Sequence, residues 1–196
     1  DLHAINDAFL KLNKKVSITT TSKYSDGRES QVQKTEVYLE RMNHYFLRTG
    51  RIEVLVTPKF SIVVSHYDKS IVVDSNRTET IQNIPLEILD SLLLLYPDVK
   101  HKSLTNGTEY YEIRPEFGNT QKIEIELERD PVQLRKLTLT GKPSPRGGRD
   151  AMITNYAYSE LEENDIPPAS KYIRLNETEN IVAQPNYQQY EFSNFY

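Results

Sequence analysis

The residue types in this chain that could do chemistry are four histidines, a run of strand carboxylates and one basic loop, Lys142 to Arg149. His3, His44, His66 and His101 are scattered, with no HExxH pair. His66 and Asp68 stand two apart in a polar turn, which is weak metal-ligand spacing, so the histidines read as surface or core residues. Glu124, Glu126 and Glu128 share one face of a strand with Lys122. They suggest acid/base work only superficially, because a solvated sheet face needs the same charges. The stretch from Gly141 to Ser144 lacks the upstream glycine of a phosphate-binding loop, and its prolines bar a helix N-terminus. Arg146 to Arg149 is a single basic unit in a chain of net charge -4, which reads as a hairpin loop rather than a nucleic-acid contact. No Gly-x-Ser-x-Gly appears, and nothing supplies a nucleophile, a base and oxyanion donors together. The chain has no cysteine, which excludes thiolate catalysis, disulfides and cysteine-ligated zinc. The sequence predicts no enzyme, no cofactor and no metal site.

Binding is the remaining chemistry, and its residues are apolar. Val37, Leu39, Phe46, Val54, Val56, Ile62, Val64, Ile71 and Val73 recur along short β-rich segments between Gln31 and Asp74. Turn signals separate the segments: Thr49-Gly50, Thr57 to Lys59, and His66 to Lys69. That pattern predicts consecutive antiparallel strands in one curved meander with a concave face. The apolar set either lines a hollow for acyl chains or fills a core under helices. Alternation alone favours the filled core.

Other elements must hold this sheet. Asp1 caps a predicted helix with Leu2, Ile5, Phe9 and Leu12 at helical spacing, followed by a β-branched strand from Val16 to Tyr24 and a turn at Asp26-Gly27. Asn83 and Pro85 open a second predicted helix whose stripe is Leu86, Leu89, Leu92, Leu93 and Tyr96. Ile88, Leu94 and Leu95 widen the stripe, so this helix must be covered, either as a mobile lid or as a fixed plug. A second strand set follows: Glu109 to Arg114, Ile123 to Leu127 with strict alternation, Leu134 to Thr140, and Met152 to Ser159. The C-terminal stretch holds Tyr187, Tyr190, Phe192, Phe195 and Tyr196 in a charge-poor segment. It either adds to a partner's sheet edge or packs on its own domain, and the second fits slightly better.

Bulk composition sets outer limits. The chain has 196 residues, 37% hydrophobic and 27% charged, ample for one domain with a sizeable core. No stretch approaches the apolar length of a transmembrane helix. The chain starts at Asp1 without a basic-then-apolar leader, as a mature exported form would after its signal peptide is removed, or as a cytosolic protein would. Asn76, Asn106 and Asn176 stand in Asn-x-Thr sequons, which matter only in a eukaryotic secreted context.

The order of elements, with Val37 to Arg41 followed by Asn43, Ile62 to Ile71 around a polar turn, and Ile166-Pro-Pro ahead of Lys171-Tyr-Ile, resembles the LolA/LolB-like lipoprotein-carrier superfamily. The likeness spans most of residues 4 to 175. It implies an α+β fold: a curved antiparallel sheet forming an incomplete β-barrel, with an N-terminal helix and a lid or plug helix. It implies one domain over residues 1–175 and an aromatic tail over 176–196. Leu89, Leu92 and Leu93 would join the sheet residues around acyl chains, with Arg41 as the latch of the lid. The function so implied is a periplasmic carrier of lipid or acylated lipoprotein. The rival reading is a structural or adaptor module of a cell-envelope or secretion assembly, docking an envelope protein through a sheet edge or through the tail.

Overall fold

Residues with two heavy groups on Cβ, or with aromatic rings, fit an extended pleated backbone, and the segments rich in them are strands. The structure, a computed structural model, describes residues 13–29, 32–41, 43–74, 99–104, 107–116, 118–142 and 149–195. The predicted N-terminal helix, from Asp1 to about Lys15, lies outside the described residues as far as Leu12, and Lys14 and Lys15, expected at its end, instead open a strand, Lys14–Tyr24, in keeping with the β-branched run that follows. The second predicted helix, Leu86 to Tyr96, lies wholly outside the described residues. So do Leu89, Leu92, Leu93, Asn76, Asn106 and Tyr196. Among the described residues the chain is mostly β, and its helical turns are two short 3₁₀ segments, Ala169–Lys171 and Pro185–Tyr187.

The chain divides into two units. The described residues of the first fall within Ser17–Lys34 and Gln82–Ala157, and those of the second within Leu12–Val16, Thr35–Ile81 and Tyr158–Tyr196. Among the described residues neither unit's sheet closes on itself, and each is an open sheet.

The second unit holds the meander: β2 (Gln33–Arg41), β3 (His44–Thr49), β4 (Ile52–Val56), β5 (Ser61–Ser65) and β6 (Ser70–Asp74), each antiparallel to the next. The hairpin between β3 and β4 turns through Gly50 at φ 56°, a left-handed conformation that costs glycine nothing. The C-terminal segment adds β12 (Ile173–Leu175) paired with β13 (Ile181–Ala183), and β14 (Glu191–Phe195), which lies parallel to β6 at the edge. The expected boundary at residue 175 therefore runs through the β12–β13 hairpin.

Register assigns the faces. Directly paired residues share a face, and neighbours along a strand do not. Tyr38, Phe46, Leu55, Ile62 and Val73 form one row across β2 to β6, and Val64 and Ile71 continue the same face. These residues are buried together with Tyr172 and Ile173, against Leu161, Ile166, Ile181, Tyr187, Tyr190 and Phe192. The chain's own C-terminal segment thus fills this face. The opposite face carries the row Val37, Leu47, Val54, Val63 and Val72.

In the first unit, which takes β1 (Lys14–Tyr24) from Ser17 and β11 (Arg149–Glu160) as far as Ala157, the strand order is β1, β11, β10 (Val132–Gly141), β9 (Thr120–Arg129), β8 (Thr108–Ile113) and β7 (Val99–Ser103). Ile113, Ile123, Ile125, Leu127 and Leu134 are buried on one face. The other face is charged and self-satisfied: the Tyr110 hydroxyl donates to Glu124 at 2.5 Å, and Lys136 to Glu126 at 3.0 Å. The acidic strand residues therefore belong to a solvated ladder. Burial raises the Tyr110 hydroxyl far above its ordinary pKa, and the Glu124 bond adds to the shift.

The face assignment fixes an expected outcome. Leu55→Ala, at 1% exposure, should destabilise the chain by about 2–5 kcal/mol, whereas Val63→Ala, at 37%, should cost under about 1 kcal/mol. Urea unfolding measures both, and equal losses would contradict the register.

Candidate functional site

A carboxylate placed at an inward position of a strand must be satisfied or expelled. Glu53 shares its face with Leu55 and is only 8% exposed. The hydroxyl of Tyr172, itself fully buried, donates to Glu53 Oε2 at 2.7 Å. Lys171 Nζ donates to the same oxygen at 3.2 Å and to the Tyr172 hydroxyl at 3.0 Å. Arg48 Nε, across the β3–β4 ladder, donates to Oε1 at 3.3 Å. Burial alone would raise the Glu53 pKa, but the Tyr172 bond and the charges of Lys171 and Arg48 outweigh it and hold the carboxyl below its usual range. The same environment pushes Tyr172 up, through burial first and the Glu53 bond second.

Aromatic contacts extend this knot along the C-terminal segment. Tyr187 meets Tyr172 with ring centroids 5.9 Å apart, and Tyr190 sits edge-on to Tyr187 at 5.1 Å. His66, in the β5–β6 turn, bonds through Nδ1 to the Tyr190 hydroxyl at 2.9 Å. Glu191 N–H then donates to Lys69 O at 2.7 Å, which starts β14 alongside β6. The arrangement holds a chain segment in place, and among the described residues no cluster of three metal-ligating side chains occurs.

The predicted apolar binding residues separate into two groups. Phe46, Ile62 and Val64, with Ile71 and Val73, lie under the C-terminal segment. Val37, Leu39, Val54 and Val56 lie on the opposite face. On that face Val37, Leu39 and Val56 are buried, Leu47, Val54 and Val72 are half-buried, and Ile52 and Val63 are exposed at 41% and 37%. These apolar side chains stay close in space, with an open stretch at Ile52 and Val63. Arg41, the expected latch, is exposed at the end of β2, opposite His44 where the β2–β3 register shifts. Of the tail residues, Tyr187, Tyr190 and Phe192 pack on the chain's own meander, while Phe195 is 58% exposed.

The same unit has a recess of about 370 Å³ lined by Asn13, Glu40, His44, Leu161 to Asn164 and Ile166. Its three glutamates make it a polar, acidic surface, unsuited to an acyl chain.

Glu53, Arg48, Lys171 and Tyr172 are the residues that sequence reasoning missed. One signal is present: in Ile52-Glu53-Val54-Leu55-Val56 a carboxylate stands two residues from Leu55, on the inward side, where a charge demands partners.

No protein-family model matches the chain, and no curated protein matches it in sequence. Among solved structures, the chain is similar to a conserved protein from Thermus thermophilus, at 10% identity over 98% of each chain with a TM-score of 0.46. It is similar to a LolA superfamily protein from Nitrosomonas europaea, at 8% identity over 83% of this chain and 94% of that one, TM-score 0.35. It is also similar to a chain of the Pseudomonas aeruginosa MucA/MucB complex, at 12% identity over 93% of this chain and 72% of that one, TM-score 0.47.

The depressed Glu53 pKa gives its contribution a sign. A carboxyl held low in the folded state stabilises it above the ordinary carboxylate range, near 4.5, and that contribution is lost as pH falls through the folded value. Glu53→Gln should therefore cost roughly 1.5–3 kcal/mol at neutral pH. The gap from the parent should close as the solution is acidified. Urea unfolding from about pH 7 to about pH 3 tests this, and a gap independent of pH would contradict it.

Proposed function

We propose that the chain is a non-enzymatic carrier that binds the acyl chains of lipid or lipoprotein in the periplasm. The observation that carries this reading is the apolar row Val37, Leu47, Val54, Val63 and Val72, widened by Leu39, Val56 and Ile52 and open at Ile52 and Val63. A sheet face is normally polar where it meets water, and on this one Ile52 and Val63 stay exposed at 41% and 37% beside Ser61, Ser65 and Thr49. The other face is already occupied by the chain's own C-terminal segment, which covers Phe46, Ile62, Val64, Ile71 and Val73. Acyl chains suit the remaining face because their binding needs area rather than directed polar groups. Each buried methylene is worth ~0.8 kcal/mol, so contact along about six of them supplies roughly 5 kcal/mol before ordering costs. The proposal keeps for Leu89, Leu92 and Leu93 the role of acyl contacts, and for Arg41 that of a latch, as the family resemblance implies.

The adaptor reading is narrowed by the geometry. Tyr187, Tyr190 and Phe192 are engaged within the chain, so a partner docking through the tail would meet Phe195 rather than the whole aromatic set.

Protein purified gently and examined by native mass spectrometry should carry acyl ligands or accept an added fluorescent fatty acid. Val63→Asp puts a charge at an exposed point of the row and should lower uptake at least about tenfold, since removing a carboxylate from water costs well over about 1.4 kcal/mol. Its circular dichroism should match the parent's. A preparation that never accepts acyl ligands, or a Val63→Asp variant that takes them up unchanged, would remove the proposal.

A further inference from the structure

The sheet of the first unit ends at β7, whose sequence is Val99-Lys-His-Lys-Ser. Among the described residues no strand lies beyond it, and Lys100, His101, Lys102 and Ser103 are all exposed. Such an edge offers unpaired backbone donors and acceptors to another extended chain.

The turn after β7 shows which groups those are. Leu104 N–H donates to Thr108 O at 2.8 Å, and Gly107 N–H to Leu104 O at 3.3 Å, with Gly107 at φ 77°. Leu104 thus aims its N–H at Thr108, while Arg129 N–H donates to Gly107 O at 3.2 Å, so the even-numbered residues of β8 face β7 and the odd-numbered ones face β9. Hydrogen-bonded pairs recur at every second residue of an antiparallel ladder. The inward pairs are therefore Lys102 with Tyr110 and Lys100 with Glu112, in the observed register. The backbone N–H and C=O groups of His101 and Ser103 point away from the sheet.

Side chains decide what fits there. Lys100 and Lys102 stand on the same face, two residues apart, and form no ion pair among the described residues. His101 lies on the other face, stacked on Tyr111 at 4.6 Å. A strand added beyond β7 would set its own alternate side chains directly beside the two lysines. A second copy of β7 would bring lysine against lysine, which is repulsive. We propose that the β7 edge is a docking site for an extended segment of another protein, with acidic residues at alternate positions that pair with Lys100 and Lys102. Its backbone would bond His101 and Ser103. This inference stands apart from acyl binding, which it neither needs nor affects.

The test uses the full chain and two fluorescent peptides, one alternating Glu and Val, the other Lys and Val. Anisotropy should show the acidic peptide binding and the basic one not. Ser103→Pro deletes an outward N–H while sparing the β7–β8 bonds, and should weaken binding at least tenfold with an unchanged melting curve. Lys100→Glu/Lys102→Glu should lose the acidic peptide and gain the basic one, which keeps the proposal testable if the proline variant does not fold. Hydrogen exchange should slow at His101 and Ser103 when peptide is bound. The proposal is overturned by absence of binding, by binding indifferent to the charge reversal, or by self-association that Ser103→Pro abolishes, which would assign the edge to a second copy.

Discussion

One buried carboxylate sets the terms for the second unit. Glu53 sits on the inner side of β4, where leaving a charge unsatisfied would cost several kcal/mol. β3 supplies one donor, Arg48, and the C-terminal segment supplies two, Lys171 and Tyr172. The segment must therefore return to this one point, 119 residues along the chain from Glu53. Once it does, the remaining contacts follow in order: Tyr187 against Tyr172, Tyr190 against His66, and β14 beside β6. A buried ion pair of this sort contributes less to net stability than to selecting one arrangement over its competitors, because apolar residues of similar size would pack at least as well.

That selection has a consequence for binding. The meander is apolar on both sides, so either face was free to become the core. The knot around Glu53 commits the Tyr38-to-Val73 row to the interior, under Tyr172 and the residues near it. The Val37-to-Val72 row lies on the other face, where Val63 and the neighbouring Ile52 stay exposed. Assigning the ligand to that face is therefore a consequence of where a charge is buried, not of apolar content, which hardly differs between the two.

The strands themselves are legible in the sequence, because turn residues such as Thr49-Gly50 and the run His66 to Lys69 punctuate β-branched segments of ordinary length. The faces are not. In Val54-Leu55-Val56 and Ile62-Val63-Val64 three apolar residues stand in succession, so a period of two has no phase to read. The sequence pattern consequently groups Phe46 with Val54, and the register sets them on opposite sides. Leu55, among the most buried residues, escapes the sequence reading for the same reason. The tail is readable only as aromatic alternation, since its partners lie far away in sequence. The strand carboxylates are legible for what they are, because Ile123, Ile125 and Leu127 alternate with charges strictly enough to show one wet face.

The most direct measurement of the central claim is photo-crosslinking with a diazirine fatty acid, followed by peptide mapping. The account predicts adducts on Ile52, Val54, Val63 and Val72, with Leu55, Ile62 and Tyr172 unlabelled. Labelling of Leu55, Ile62 or Tyr172 would mean that the C-terminal segment yields its place to the ligand, and would contradict the assignment of the binding face.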